Sequence, residues 1–103
     1  MINYVKYNKV LVKQGKRNDS TKAILEFFKE VQTQESKMTG FVVMDSLEDS
    51  SESIVLTFWG SKEDMDSFYQ PGNHLLSGLV EKLKPSFKIL PERRDYKVSD
   101  FKI

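Results

Sequence analysis

Cysteine is absent from the chain, and histidine and tryptophan occur once each, as His74 and Trp59. The missing thiols remove disulfides, thiolate nucleophiles and thiolate metal ligands together. A lone histidine supports neither a paired-histidine metal site nor a Ser-His-Asp arrangement, so no metal is expected. Charge of one sign is not in excess either: 16 Lys and Arg face 15 Asp and Glu, a formal net charge of +1. That balance gives no electrostatic argument for nucleic acid or for a membrane surface, and neither is expected as a partner. No apolar run is long enough to cross a bilayer, and the opening M-I-N-Y-V-K-Y lacks the apolar stretch of a signal peptide. A cytoplasmic protein is therefore expected.

The 103 residues suit one domain, 1–103, with a single core, small enough that oligomerisation would add much to its stability. Aromatics form 12% of the chain, seven of them Phe, which points to a core packed from rings.

Tyr4 to Lys13 reads as a first strand whose alternation turns Asn8, Val10 and Val12 one way and Val5, Tyr7, Lys9 and Leu11 the other. After a polar turn around Gly15, Asp19 or Ser20 is a candidate cap for a helix from about Thr21 to Glu35. Ile24, Phe27, Phe28 and Val31 give that helix an apolar face. Gly40 to Leu47 reads as a second strand. Ile54 to Trp59 reads as a third, apolar enough to be covered on both faces. Gly60 breaks it, and Ser61 with Asp64 three residues on marks a helix start. Two helical pieces follow, Lys62 to Tyr69 with Met65 and Phe68 inward, and Asn73 to Leu83 with Leu75, Leu76, Leu79, Val80 and Leu83 inward. Pro71-Gly72 separates them, and Asn73 is placed to cap the second. Beyond Pro85 the expectation is a short strand at Phe87 to Leu90, a bend at 91–94, and a last strand or tail from Tyr96 to Phe101.

This order predicts an α+β, ferredoxin-like βαββαβ fold, an antiparallel sheet with both helices on one face. The other face would carry Val5, Tyr7, Leu11 and either Val42 and Met44 or Phe41 and Val43. It is too apolar to leave in water, so a homodimer joined sheet face to sheet face is expected.

With the Gly40-Phe41 strand start and the strand-to-helix joint L-T-F-W-G-S-K-E-D of Leu56 to Asp64, the chain resembles the antibiotic biosynthesis monooxygenase superfamily. The resemblance implies a dimeric α/β barrel with a small-molecule pocket between helices and sheet. Members include cofactor-independent oxygenases of small aromatic compounds and haem-degrading enzymes. Against the haem-degrading branch, Asn8 and Gly15 agree, whereas Phe68 stands where that branch has tryptophan and Gly78 where it has the axial histidine. His74 lies one helical turn earlier.

Three readings of function follow. The first is a monooxygenase of a small aromatic or apolar substrate, without cofactor, in which Asn8 holds an oxygen atom, His74 is the base, and Trp59, Phe68 and Leu76 bind substrate. The second is haem binding or degradation, and the third a non-catalytic binding or regulatory module. Asn8 is notable in its own right, because an amide among valines needs partners for both its polar atoms. Arg93 and Arg94 read either as a carboxylate clamp or as a solvated bend. Asp45, Glu48, Asp49 and Glu52 lack calcium-loop spacing and read as a solvated turn.

Overall fold

A computed structural model describes residues 1–34 and 37–103. Its elements run β1 (Tyr4–Leu11), α1 (Arg17–Gln34), β2 (Met38–Asp45), β3 (Glu52–Trp59), α2 (Lys62–Tyr69), α3 (His74–Leu83), a 3-10 turn (Lys84–Ser86) and β4 (Glu92–Lys97). The strands pair antiparallel in the order β2-β3-β1-β4, the ferredoxin-like arrangement expected.

In β1, Asn8, Val10 and, just beyond the strand, Val12 are buried against the helices, while Tyr7, Lys9 and Leu11 face outward half-buried. Pairing carries the same division across the sheet. Val55 lies opposite Asn8 and Val43 opposite Val55, so these share the helix face. Val42 pairs with Leu56 and Met44 with Ile54, which selects Val42 and Met44 for the outer face. The third strand is thus not covered on both sides within one chain: Val55, Thr57 and Trp59 are buried, but Ile54, Leu56 and Phe58 stay half-buried.

Several boundaries differ from the sequence expectation for identifiable reasons. Helix α1 starts at Arg17, so Asp19 and Ser20 occupy its first turn instead of capping it. The Arg17 Nη1 donates to the carbonyls of Ser46 and Asp49 at 2.8 and 2.9 Å, tying the helix start to the β2–β3 loop. The expected end at Glu35 lies outside the described residues. Strand β2 stops at Asp45, whose Oδ1 accepts hydrogen bonds from Thr21 and Ser53, and Leu47 is fully exposed in the loop. No strand forms over Phe87–Leu90. Phe87 makes a single bridge with Val12, and Ile89 and Leu90 are exposed. The last strand is Glu92–Lys97: it begins inside the expected bend at 91–94 and overlaps the expected Tyr96–Phe101 strand only at Tyr96 and Lys97. Its charged sequence conceals it, because an edge strand keeps one side solvated and tolerates charge.

The core joins α1, α2 and α3 to the helix face of the sheet through Ile24, Phe28, Val31, Val55, Trp59, Met65, Phe68, Leu76 and Leu83. Phe68 is its aromatic hub, with ring centroids 5.3 Å from Trp59, 6.4 Å from Phe28 and 5.1 Å from Tyr69.

Candidate functional site

Two caps fix the short helices that close the sheet. Ser61 accepts from the Asp64 amide at 3.1 Å, so the chain turns sharply after Trp59 and brings Met65, Phe68 and Tyr69 down onto β1 and β3. Asn73 then joins α2 to α3. Its Oδ1 accepts from the Leu75 and Leu76 amides, and its Nδ2 donates to the Phe68 carbonyl at 2.6 Å. Leu76 is thereby set facing Tyr69 and Asn8 across a common cavity.

A line of polar groups runs through this otherwise apolar region. Trp59 Nε1 donates to Thr57 Oγ1 at 2.9 Å, and that hydroxyl lies 2.8 Å from the Tyr69 hydroxyl. Asn8 Nδ2 donates to the Val55 carbonyl at 3.1 Å and to the Tyr69 hydroxyl at 3.4 Å. The Thr57 hydroxyl, the Trp59 N–H and the Asn8 amide nitrogen are each paired within this line, which is what makes them tolerable beside valines. Among the described residues nothing donates to Asn8 Oδ1. Burial pushes the Tyr69 phenol above its usual range, against the opposing pull of hydrogen bonds with Thr57 and Asn8 and of the Arg93 charge. The phenol is accordingly protonated at neutral pH and serves as donor or acceptor, not as a base.

Asn8, Tyr69 and Arg93 form one end of a cavity of about 40 Å³ whose walls are Val10, Ile24, Phe28, Val55, Leu76, Leu79, Val80, Leu83 and Phe87. By volume it holds a few waters or a small part of a ligand. It adjoins a surface cleft of about 270 Å³ with which it shares Tyr69, Leu76, Val80, Pro91 and Arg93. Two cations flank the Tyr69 ring: Lys6 Nζ at 4.7 Å from the centroid and the Arg93 guanidinium carbon at 5.2 Å. Lys6 is also paired with Asp95.

The expected site residues divide. Asn8 and Leu76 line the cavity. Trp59 and Phe68 do not; they stand behind Tyr69 and line a separate groove with Lys37, Asp64 and Leu75. His74 is exposed on the first turn of α3 and lines neither the cavity nor its cleft. Leu75, expected inward, is also exposed, because the Asn73 cap sets the helix so that Leu76 takes the buried position. Arg93 and Arg94 cannot act as one clamp: Arg93 pairs with Asn8 on the helix face, and Arg94 with Tyr7 on the outer one. Tyr69 and Thr57 complete the cluster without having stood out in the sequence, and Arg93 joins it from a pair that reads equally as a clamp or a solvated bend. Tyr69 was hidden as the last residue of a helix, and Thr57 as the hydroxyl in an apolar strand.

These residues do not fit haem. The cavity walls offer no histidine, Phe68 has no ligating atom, and Gly78 is exposed with open space around it. Among the described residues no group of three or more His, Asp or Glu is placed to hold a metal ion, and no helix is long and apolar enough to cross a membrane.

Strand order, helix placement and cavity together define an α+β protein of the ferredoxin-like class. More narrowly, the fold is that of solved structures assigned to the antibiotic biosynthesis monooxygenases. A Caulobacter crescentus CB15 protein described provisionally as such a monooxygenase superposes with a TM-score of 0.80 at 13% identity, covering 96% of this chain and 92% of its own. A Nitrosomonas europaea protein with the same description gives 0.77 at 14% identity over 93% and 89% of the two chains. A conserved protein from Methanosarcina mazei Go1 gives 0.75 at 16% identity over 93% and 92%. No protein-family model matches the sequence, and no curated protein matches it. At these identities the likeness is one of fold.

Proposed function

We propose that the protein binds a small, largely apolar molecule in the cleft and the cavity it adjoins, beside Asn8, Tyr69 and Leu76, and oxygenates it without a cofactor. The observation carrying this reading is the cavity's composition: apolar walls, with Asn8 and Arg93 both beside Tyr69 and, among the described residues, no donor to Asn8 Oδ1. Ligand sites have this form, a hydrophobic body pocket with a few convergent polar atoms. The oxygenase chemistry is supported by the description given to proteins of the same fold.

The substrate must then be acidic enough to ionise unaided, since Tyr69 stays protonated and His74 is exposed. A methylene beside a carbonyl would lose a proton, and its carbanion would pass an electron to dioxygen. Radical recombination gives a peroxide, and loss of water leaves a ketone, so CH2 and O2 become C=O and H2O. Tyr69 would hydrogen-bond the enolate oxygen, Asn8 would orient the substrate, and Trp59 and Phe68 would hold the Tyr69 ring in place. The assembly we propose is a cytoplasmic homodimer, joined through the outer face that exposes Met44 and Tyr96 beside half-buried Tyr7, Leu56 and Phe58.

Oxygen uptake with indanedione, a compact aromatic carbon acid, tests the chemistry. Each dioxygen consumed should yield one indanetrione, recovered as its hydrate, and Leu76→Trp, which fills the cavity, should slow turnover. Uptake no faster than in buffer contradicts the oxygenase reading.

A further inference from the structure

We infer that the cavity's ligand is an organic acid, an apolar body ending in an ionised oxygen that meets Arg93; the inference rests on the cavity reading above. Arg93 lies opposite Asn8 in the β1–β4 pairing, so strand geometry sends its side chain to the helix face, over the cavity. It lines both the cavity and the adjoining cleft, 5.2 Å from the centre of the Tyr69 ring. Among the described residues its side chain makes no ion pair and donates no hydrogen bond.

The neighbouring charges are already engaged. Lys6 is paired with Asp95, and Glu81, on the opposite wall of the cleft, lies 4.0 Å from Lys84. Glu92 pairs with Arg94. Of the two charged residues that line the cavity and cleft, Arg93 and Glu81, Glu81 has Lys84 beside it, which leaves Arg93 as the lining charge without an ion-pair partner among the described residues. A carboxylate or enolate oxygen placed there gains a charge-assisted hydrogen bond at the edge of a low-dielectric cavity. A neutral ligand of the same shape gains none, and a cationic one is repelled. Tyr69 holds the planar guanidinium against its ring, which limits the freedom lost on binding.

Calorimetric titration with naphthoate and its neutral counterpart naphthamide separates the charge from the apolar body. Wild-type protein at pH 7 should bind naphthoate about tenfold more tightly, the size expected of one hydrogen bond to a charged group. Arg93→Gln should erase that preference by weakening the acid alone, while Lys88→Gln, an equal change of net charge away from the cavity, should keep it. Equal affinities in wild type, or a preference that survives Arg93→Gln, would overturn the acid inference and leave the cavity reading standing. Leu76→Trp, with Val80→Phe as a second filling variant, should weaken both probes. If neither variant weakens binding, or neither probe binds, the cavity reading falls and the acid inference with it.

Discussion

The Tyr69 hydroxyl stands 2.8 Å from Thr57 Oγ1, which in turn accepts the Trp59 indole N–H. A helix end and a strand interior are thereby locked by one hydroxyl. The locked Tyr69 ring lines the cavity and has Lys6 and Arg93 over it. Removing that hydroxyl is the most informative small change available. Thr57→Val keeps the shape and leaves the Trp59 N–H buried without an acceptor. It should cost about 1–3 kcal/mol in chemical denaturation. A loss no larger than that of an exposed substitution would show that the lock is not structural.

Tyr69 should leave a signature at high pH. Its phenol is held above the usual value by burial, so the folded chain keeps a proton that the unfolded chain gives up above about pH 10. The stability linked to this group is full below that pH and is lost as pH rises through the folded-state pKa. The stability advantage of wild type over Tyr69→Phe should therefore narrow above about pH 10 in urea melts. An advantage that stays constant to higher pH would contradict the assignment.

Asn73 is the hinge of the split helix, capping α3 while holding the Phe68 carbonyl of α2. Asn73→Ala should lower stability by about 1–2 kcal/mol. It should also weaken ligand binding, because Leu76 and Tyr69 are positioned from its two sides. Calorimetric binding unchanged in this variant would separate the cap from the site.

The outer sheet face should decide assembly. Leu56, half-buried there between Tyr7 and Val42, should tolerate lysine in a monomer but not in a sheet-to-sheet dimer. Sedimentation should give a dimer for wild type at micromolar concentration and a monomer for Leu56→Lys. A wild-type monomer would contradict the assembly.

What the sequence disclosed was the part governed by local rules. The Asn8, Val10, Val12 alternation, the Ser61 and Asn73 caps and the break at Pro71-Gly72 all follow from backbone geometry, and all appear where expected. The start of the last strand did not show and its expected span, Tyr96 to Phe101, lay too late, since Glu92-Arg93-Arg94-Asp95 has the composition of a turn and becomes a strand only by pairing with β1. The site was half legible. Asn8 stood out as a lone amide among valines, but His74 drew attention by its rarity and proved exposed. Tyr69 and Arg93 come from elements distant in sequence, and only the fold brings them to Asn8.

The central claim is that a ligand lies within the cavity beside Asn8 and Tyr69. Methyl-labelled protein titrated with naphthoate tests it most directly, through proton–proton contacts between probe and protein. The account predicts contacts from the probe to the methyls of Ile24, Leu76 and Val80. Contacts confined to Val5, Val42 and Leu56 on the outer sheet face would contradict it.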